Sequence, residues 1–383
     1  MRVLQLGKYY YPHMGGIENH LYILSTELAK LGNDVTVAVN NDKAKFSEEV
    51  ISCVKVLRYP LITKIKNAPI SSFPTFDAKQ FDVVHVHLPN PLASVHALLN
   101  YTENLVVTYH SDIVKEGILP KLANIIYTKT ILSQLLKKAK IILATSPNCV
   151  SGSKILQKYK DKVKVVPYGI DLNLFKLSST SFQKVKHLKK KYAGKKILLF
   201  VGRLVPYKGL KYLIHAMHEV VEKFDDVVLL IVGYGILKPE LQGLVKKLNL
   251  TNNIQFLSEI HNKDLAPYYY LSDIFVLPSI YKSEAFGIVQ LEAMACSKPV
   301  ISTNVHGSGI SFANKNNETG IVVEPRNSRE LSSAIVKLLK NKFLCQKFGN
   351  NGRVRVKKSF SKETMVNSIT DIYTSILKHQ KES

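Results

Sequence analysis

The chain has no C-x-x-C pair. Its four cysteines, Cys53, Cys149, Cys296 and Cys345, are scattered, so neither a disulfide framework nor a zinc site is expected. No apolar run approaches the roughly 18–20 residues needed to cross a bilayer. The start runs from Met1-Arg2 straight into a strand-like stretch, Val3 to Leu6, with no secretory-leader pattern. The dinucleotide fingerprint G-x-G-x-x-G is missing, which argues against a nicotinamide enzyme. Acids are scarce, with 29 Asp and Glu against 53 Lys and Arg, a net charge of +24. Such an excess suits nucleic acid, an anionic membrane surface or an anionic substrate, or simply many lysine-solvated faces.

What is present is enough apolar residue, 46%, to build a core in 383 residues, the length of two or three domains at roughly 150 each. Short β-branched runs alternate with amphipathic stretches. Arg2–Leu6, Asp34–Asn40, Asp82–Leu88, Asn104–His110, Lys140–Ser146 and Val163–Tyr168 read as strands. Helices are expected over Ile17–Leu31, Leu92–Tyr101 and Pro120–Lys138. The pattern fades through the polar, lysine-rich stretch 176–194, then restarts at Lys196–Gly202 and runs to a helical tail. The economical reading is α/β: two doubly wound, Rossmann-like domains, residues 1–175 and 195–362, joined by a linker at 176–194. The helix near 363–383 is expected to pack back on the first domain. Ligands of such sheets bind at the carboxyl ends of the strands, so polar residues just after strands are the candidates.

Four constellations qualify. "HMGGIE", His13 to Glu18, lies between a strand and a helix; Gly15-Gly16 is either a plain tight turn or a loop bringing backbone close to an anion. "TYHSD" puts His110 at a strand end, as a ligand contact or a satisfied core histidine. His85 and His87 alternate onto one face of an earlier strand, but no nearby carboxylate pattern supports a metal there. "GRLVPYKG" supplies Arg203 and Lys208 after a strand, a sensible diphosphate clamp on a chain where basic loops are common. "SEAFGIVQLE" sets Glu284 before a helix expected to start near Phe286, and Glu292 along it. The amides of Phe286, Gly287 and Ile288 would favour a phosphate, and Glu292 could accept hydrogen bonds from a ribose diol. The same stretch is also compatible with a helix that merely has an acidic start and one solvated glutamate.

Together "GGIE", "TYHSD", "VVPYGIDLNLF", "GRLVPYKG", "VGYG" and "SEAFGIVQLEAMACSKPVI" resemble the retaining GT-B glycosyltransferases of the GT4 type, in the family's order and over nearly the whole chain. The resemblance implies a nucleotide-sugar held by the C-terminal domain and an acceptor held by the N-terminal one. It places Arg203 and Lys208 on the donor diphosphate and Glu284 on the donor sugar beside the Phe286, Gly287 and Ile288 amides. Glu292 would meet the ribose, and Gly233 of "VGYG" would line the donor site. His110 would face the sugar, and Gly16 would border the diphosphate and acceptor. Gln290 stands where the family usually has an apolar residue, and Ser297 and Ser258 where it commonly has glycine. "HVHLPNP", "TYHSDIV" and "HGSGISFAN" look most like bacterial mannosyl- or rhamnosyltransferases building polyprenyl-diphosphate-linked polysaccharide.

The implied reaction is hexose transfer, mannose from GDP-mannose, with retention and with no cofactor. No D-x-D occurs, so no metal is expected to be required. Glycosidase chemistry would want an acid pair about 5 Å apart; Glu284 and Glu292 are expected to hold different parts of one donor. A UDP-sugar donor is the alternative within the class. Outside it stand a non-catalytic sugar-binding protein, a phosphorylase and a nucleic-acid binder, though no basic-aromatic module supports the last. The expected location is cytoplasmic, peripheral on the inner face of the plasma membrane. The stretch Pro120 to Lys140 could lie on anionic lipid or could be a core-facing helix with a lysine tip.

Overall fold

In the computed structural model, residues 1–13, 15–65, 68–71, 77–100, 103–113, 117–257 and 260–381 are described. They form two compact units, Met1–Gly169 with Lys362–Ser383, and Ile170–Ser361.

The first unit holds strands β1 (Arg2–Leu6), β2 (Asp34–Asn40), β3 (Ser47–Ile51), β4 (Val54–Tyr59), β5 (Leu61–Ile65), β6 (Ala68–Ser71), β7 (Val83–Leu88), β8 (Leu105–Tyr109), β9 (Ile141–Ala144) and β10 (Val163–Val165). Among the described residues, eight form one sheet in the order β10-β9-β8-β7-β1-β2-β4-β3, while β5 and β6 pair separately. Every neighbour in the large sheet is parallel except β3 on β4. Apolar residues on successive positions of β1 go to opposite faces, as the strand period requires. Val3 joins the helices Gly16–Lys30 and Lys362–Lys381, and Leu4 joins Ala93, Leu135 and Leu136 on the other side. The tail helix is pinned at its start by Lys362 Nζ on Glu27 Oε1 at 3.1 Å.

The second unit carries β11 (Lys196–Val201), β12 (Val227–Val232), β13 (Ile254–Leu257), β14 (Ile274–Leu277), β15 (Val300–Thr303) and β16 (Gly320–Val323). They form one all-parallel sheet in the order β13-β12-β11-β14-β15-β16. Numbered within the unit, that is 3-2-1-4-5-6, so the strand order reverses between β11 and β14. β12 and β14 are buried along their whole length, which is why they read as unbroken apolar runs.

Several expectations need correction. The sequence places no strand between Asn40 and Asp82, yet β3 to β6 lie there. β3 is a largely exposed antiparallel edge, so it lacks the apolar signature of the buried strands. The stretch 176–194 is no linker but mostly a helix of the second unit, Ser179–Lys191, with Ser178 accepting from the Ser181 amide. Only Val185 and Leu188 on it are buried, so it reads as polar. The division between units falls at Gly169 and Ile170 rather than after residue 175. The helix expected from Phe286 runs from Ile288 to Ala295. Tyr101, the expected end of a first-unit helix, lies outside the described residues; that helix spans Pro91–Leu99.

Candidate functional site

The reversal between β11 and β14 brings together two loops that are distant in sequence. Tyr207, after β11, accepts the Ile280 amide on its carbonyl at 2.8 Å. The close approach depends on Gly209, whose φ is 68°: a Cβ there would lie 2.0 Å from the Pro278 carbonyl oxygen. Lys208 and Glu284 meet across this junction as an ion pair through Glu284 Oε2, with their side chains only 8% and 12% exposed. Ser279 donates to the same oxygen at 3.1 Å. Ser308 donates to the Glu284 carbonyl, fixing the backbone beneath. Glu284 Oε1 has no hydrogen-bond partner among the described residues. Arg203 is exposed at the end of β11 and donates from Nη2 to Tyr207 Oη at 2.9 Å. It lies within electrostatic range of Glu284.

Gly287 adopts a left-handed conformation, φ 74°, and caps the helix Ile288–Ala295. A Cβ on it would press to 2.5 Å from a Leu277 methyl. Of the three amides singled out from sequence, Ile288 opens the helix, while those of Phe286 and Gly287 precede it. The Phe286 ring is core, edge-on to Phe312 and Phe360. Glu292 sits one turn into the helix and accepts from Tyr269 Oη at 2.6 Å. Burial pushes its carboxyl above the usual glutamate value, against the Tyr269 hydrogen bond and the Lys208 charge, which pull it down. Lys208 therefore acts on both acids. Gly233, φ 140°, packs so tightly on the residue that follows β11 that a Cβ would reach 2.0 Å from the Gly202 carbonyl oxygen, so its first need is structural. The departures from the family pattern are accommodated. Ser297 holds a positive φ of 58°, where glycine is the easier residue, and Gln290 caps the Phe286 carbonyl from Nε2 at 2.7 Å. Ser258 lies outside the described residues.

The first unit gathers a buried polar chain on the strands flanking its own order reversal, between β1 and β7. Gln5 Oε1 takes His87 Nε2 at 2.8 Å, and His87 Nδ1 meets His110 Nε2 at 3.2 Å. His110 Nδ1 meets Tyr168 Oη at 2.6 Å. On the other side Gln5 Nε2 donates to Tyr373 Oη at 3.1 Å, which lies 2.6 Å from His85 Nδ1. Burial lowers the basicity of all these imidazoles, so each is neutral and carries one N–H. An amide oxygen only accepts, so His87 donates from Nε2, accepts at Nδ1 from His110 Nε2–H, and His110 accepts from Tyr168. Both His110 nitrogens are thus engaged, and a sugar hydroxyl reaches them only by replacing His87 or Tyr168. His20, on the helix that Gly16 opens, packs edge-on against His87, His110 and Tyr168. Neither of its ring nitrogens has a hydrogen-bond partner among the described residues. One nitrogen each from His20, His87 and His110 lies within 4.8 Å of the other two, but two of these already bond one another. Gln5, His20, Tyr168 and Tyr269 escaped the sequence reading, because each matters through a partner distant in the chain, and Ser279 escaped it although its partner Glu284 is only five residues on.

Residues 14–174 match the family Glycosyltransferase Family 4, and residues 181–355 match Glycosyl transferases group 1. The chain is 31% identical to the O-antigen chain mannosyltransferase C of Escherichia coli, over 98% of this chain and 99% of that protein. It is 33% identical to the D-rhamnosyltransferase WbpZ of Pseudomonas aeruginosa, over 94% and 92%. Its fold matches the solved sucrose-phosphate synthase of Thermosynechococcus elongatus with a TM-score of 0.79 over 99% of each chain, at 23% identity. With both halves matched and the curated relatives aligned almost end to end, the chain belongs to the group 1 glycosyltransferases of GT4 type and GT-B fold, and it is a hexosyltransferase.

Proposed function

We propose that the chain transfers mannose from GDP-mannose, with retention and without a metal, to a polyprenyl-diphosphate-linked glycan during surface polysaccharide synthesis. The observation that carries this reading is the coupling of two cations and two acids in the second unit: Lys208 pairs with Glu284, acts on Glu292, and Arg203 feels Glu284. In the proposed roles, Arg203, Lys208 and the amide end at Ile288 stabilise the charge that builds on the departing diphosphate. The open Glu284 Oε1 takes a sugar hydroxyl, and Glu292 takes the ribose. A mannosyl and a rhamnosyl relative at about one-third identity support a deoxy- or hexopyranosyl donor linked to a nucleoside diphosphate. In the same reading the enzyme works at the inner face of the plasma membrane; among the described residues no helix is long and apolar enough to cross it.

Calorimetry against GDP-, UDP-, dTDP- and ADP-sugars tests the donor. GDP-mannose is expected to bind tightest, and tighter binding of a UDP-sugar would replace the base and sugar assigned here. Proton NMR of the product reads the anomeric outcome, and turnover that survives chelation supports metal independence. No binding by any sugar nucleotide would overturn the transferase site as assigned.

A further inference from the structure

His85 and His87 share a face of β7, as strand alternation requires, with ring centroids 4.4 Å apart. Their partners differ. Both His85 nitrogens are taken, Nδ1 by Tyr373 Oη and Nε2 by Thr108 Oγ1, each at 2.6 Å. His87 and His110, the residue after β8, instead turn one nitrogen each toward the other. The helix Gly16–Lys30 brings a third imidazole against this pair. His20 is 3% exposed, with its ring centroid 5.0 Å from that of His110 and 5.5 Å from that of His87. Both His20 nitrogens lack a hydrogen-bond partner among the described residues, which is costly for buried polar atoms unless something satisfies them. One nitrogen of His20, His87 Nδ1 and His110 Nε2 therefore converge from three separate elements.

The pair is already held as metal ligands are. His87 donates its Nε2 proton to Gln5 Oε1, so its Nδ1 is a bare lone pair. His110 has Tyr168 Oη 2.6 Å from its Nδ1. Moving the His110 proton from Nε2 to Nδ1 reverses that bond: Nδ1–H then donates to Tyr168 Oη, and Nε2 aims a second lone pair at His87 Nδ1. Two lone pairs face to face repel unless a cation lies between them. Their 3.2 Å separation subtends about 100° at an ion bonded to both at about 2.0–2.1 Å, near the tetrahedral angle. An oxygen acceptor behind each ligating imidazole, here Gln5 and Tyr168, is the outer support that histidine-bound metals use. Burial keeps all three imidazoles neutral, so protons do not compete for the lone pairs at neutral pH. We infer that His20, His87 and His110 form a three-imidazole site for a transition-metal cation of the Zn²⁺ class, with the fourth position left to water. Nitrogen donors select such ions over Mg²⁺ and Ca²⁺, which take oxygen. The set holds no carboxylate, so the lack of one near His87 in sequence does not argue against it. The cation takes no part in the proposed transfer; it opposes it. His110 Nε2 on a metal cannot meet a sugar hydroxyl, and His20 then ties the helix that Gly16 opens to the ends of β7 and β8. The inhibition rests on His110 facing the sugar; the site does not.

The test is titration of the full chain with Co²⁺ after stripping with a chelator. A single equivalent is expected to bind, with the visible bands of a tetrahedral all-nitrogen site and no sulfur-to-metal charge-transfer band from the exposed Cys53 or the other thiols. The amides of Gly16–Lys30 are expected to exchange more slowly once Co²⁺ is bound, and Mg²⁺ to produce neither effect. His20→Leu should weaken binding by more than about a hundred-fold, beyond the usual cost of losing an outer support, and Tyr168→Phe by about ten-fold. Binding as tight as wild type in either variant, or a spectrum carried by sulfur, would overturn the site. Zn²⁺ is expected to displace Co²⁺ and to lower transfer, with a chelator restoring it. Bound Zn²⁺ with transfer unchanged would overturn the inhibition. Sugar-nucleotide calorimetry on the metal-free chain reports the donor residues separately, since all three histidines belong to the first unit.

Discussion

Lys208 and Glu284 form an ion pair shut away from solvent, each contributed by the loop after a different strand of the second unit's sheet. Removing one partner leaves a charge buried without its counter-charge, which typically costs about 3–5 kcal/mol. Here Ser279 still holds Glu284, so the low end of that range is expected for Lys208→Met. Lys208→Met and Glu284→Gln should each lower transfer at least about ten-fold, the equivalent of one charged hydrogen bond. The double variant should recover most of the stability and none of the activity. A double-mutant cycle in urea, run beside a transfer assay, checks both statements. Recovery of turnover in the double variant would show the pair to be scaffold alone.

Gly209 is predicted to be the least replaceable glycine of the junction. Gly209→Ala would meet the Pro278 carbonyl at 2.0 Å in addition to the strain of a positive φ. Gly194 has a similar φ, 75°, with nothing within 4 Å, so Gly194→Ala isolates the backbone strain, about 1–2 kcal/mol. The difference between the two melting temperatures measures the steric part. Equal losses would mean that the two loops can separate freely.

The strands that frame this junction were legible because a buried parallel strand must be apolar throughout, as β14 (IFVL) is. The motif residues were legible because the ligand-binding loops of doubly wound sheets follow strands, and Arg203, Lys208 and Glu284 do come together. What stayed hidden depends on pairing across the fold. The helix Gly16–Lys30 looks like any amphipathic helix, and only the folded sheet sets His20 of its buried face against His87 and His110. Glu292 likewise looks like a solvated helix glutamate until Tyr269, twenty-three residues earlier, is found bonded to it. The helix Ser179–Lys191 was missed because two buried residues in thirteen leave almost no periodic signal.

Glu292 gives a pH prediction. Its carboxyl binds a proton more tightly folded than unfolded, because burial raises its pKa. Between the unfolded and folded values the fold holds the extra proton, so stability falls as pH climbs through that window and the loss is complete above it. Glu292→Gln removes the loss. Its stability should overtake wild type from the usual glutamate value upward, read from urea midpoints across a pH series. The same variant should bind the donor about ten-fold more weakly, having lost a charged acceptor. A constant stability gap at every pH would deny the shift, and unchanged donor affinity would remove Glu292 from the ribose.

The histidine cluster of the first unit titrates in the opposite sense. Burial lowers His20 from 6.5 to about 4, with no hydrogen-bond partner among the described residues to offset it, and His85 to about 3. The unfolded chain takes up protons below its ordinary histidine value while the fold refuses them. Stability is therefore full above that value and drains away as pH falls toward the depressed ones. For His20 alone the loss is about 3 kcal/mol by pH 4, at about 1.4 kcal/mol per unit. His20→Leu should remove that share, and near neutral pH it should be no less stable than wild type, since two unpaired buried nitrogens disappear with the ring. The chain has two units, so a single melting curve would mix them. Hydrogen exchange at the amides of Gly16–Lys30 reports on the first unit alone. Protection there that falls with acid as steeply in the variant as in wild type would show that His20 contributes nothing to the acid loss, against the depression that its burial implies.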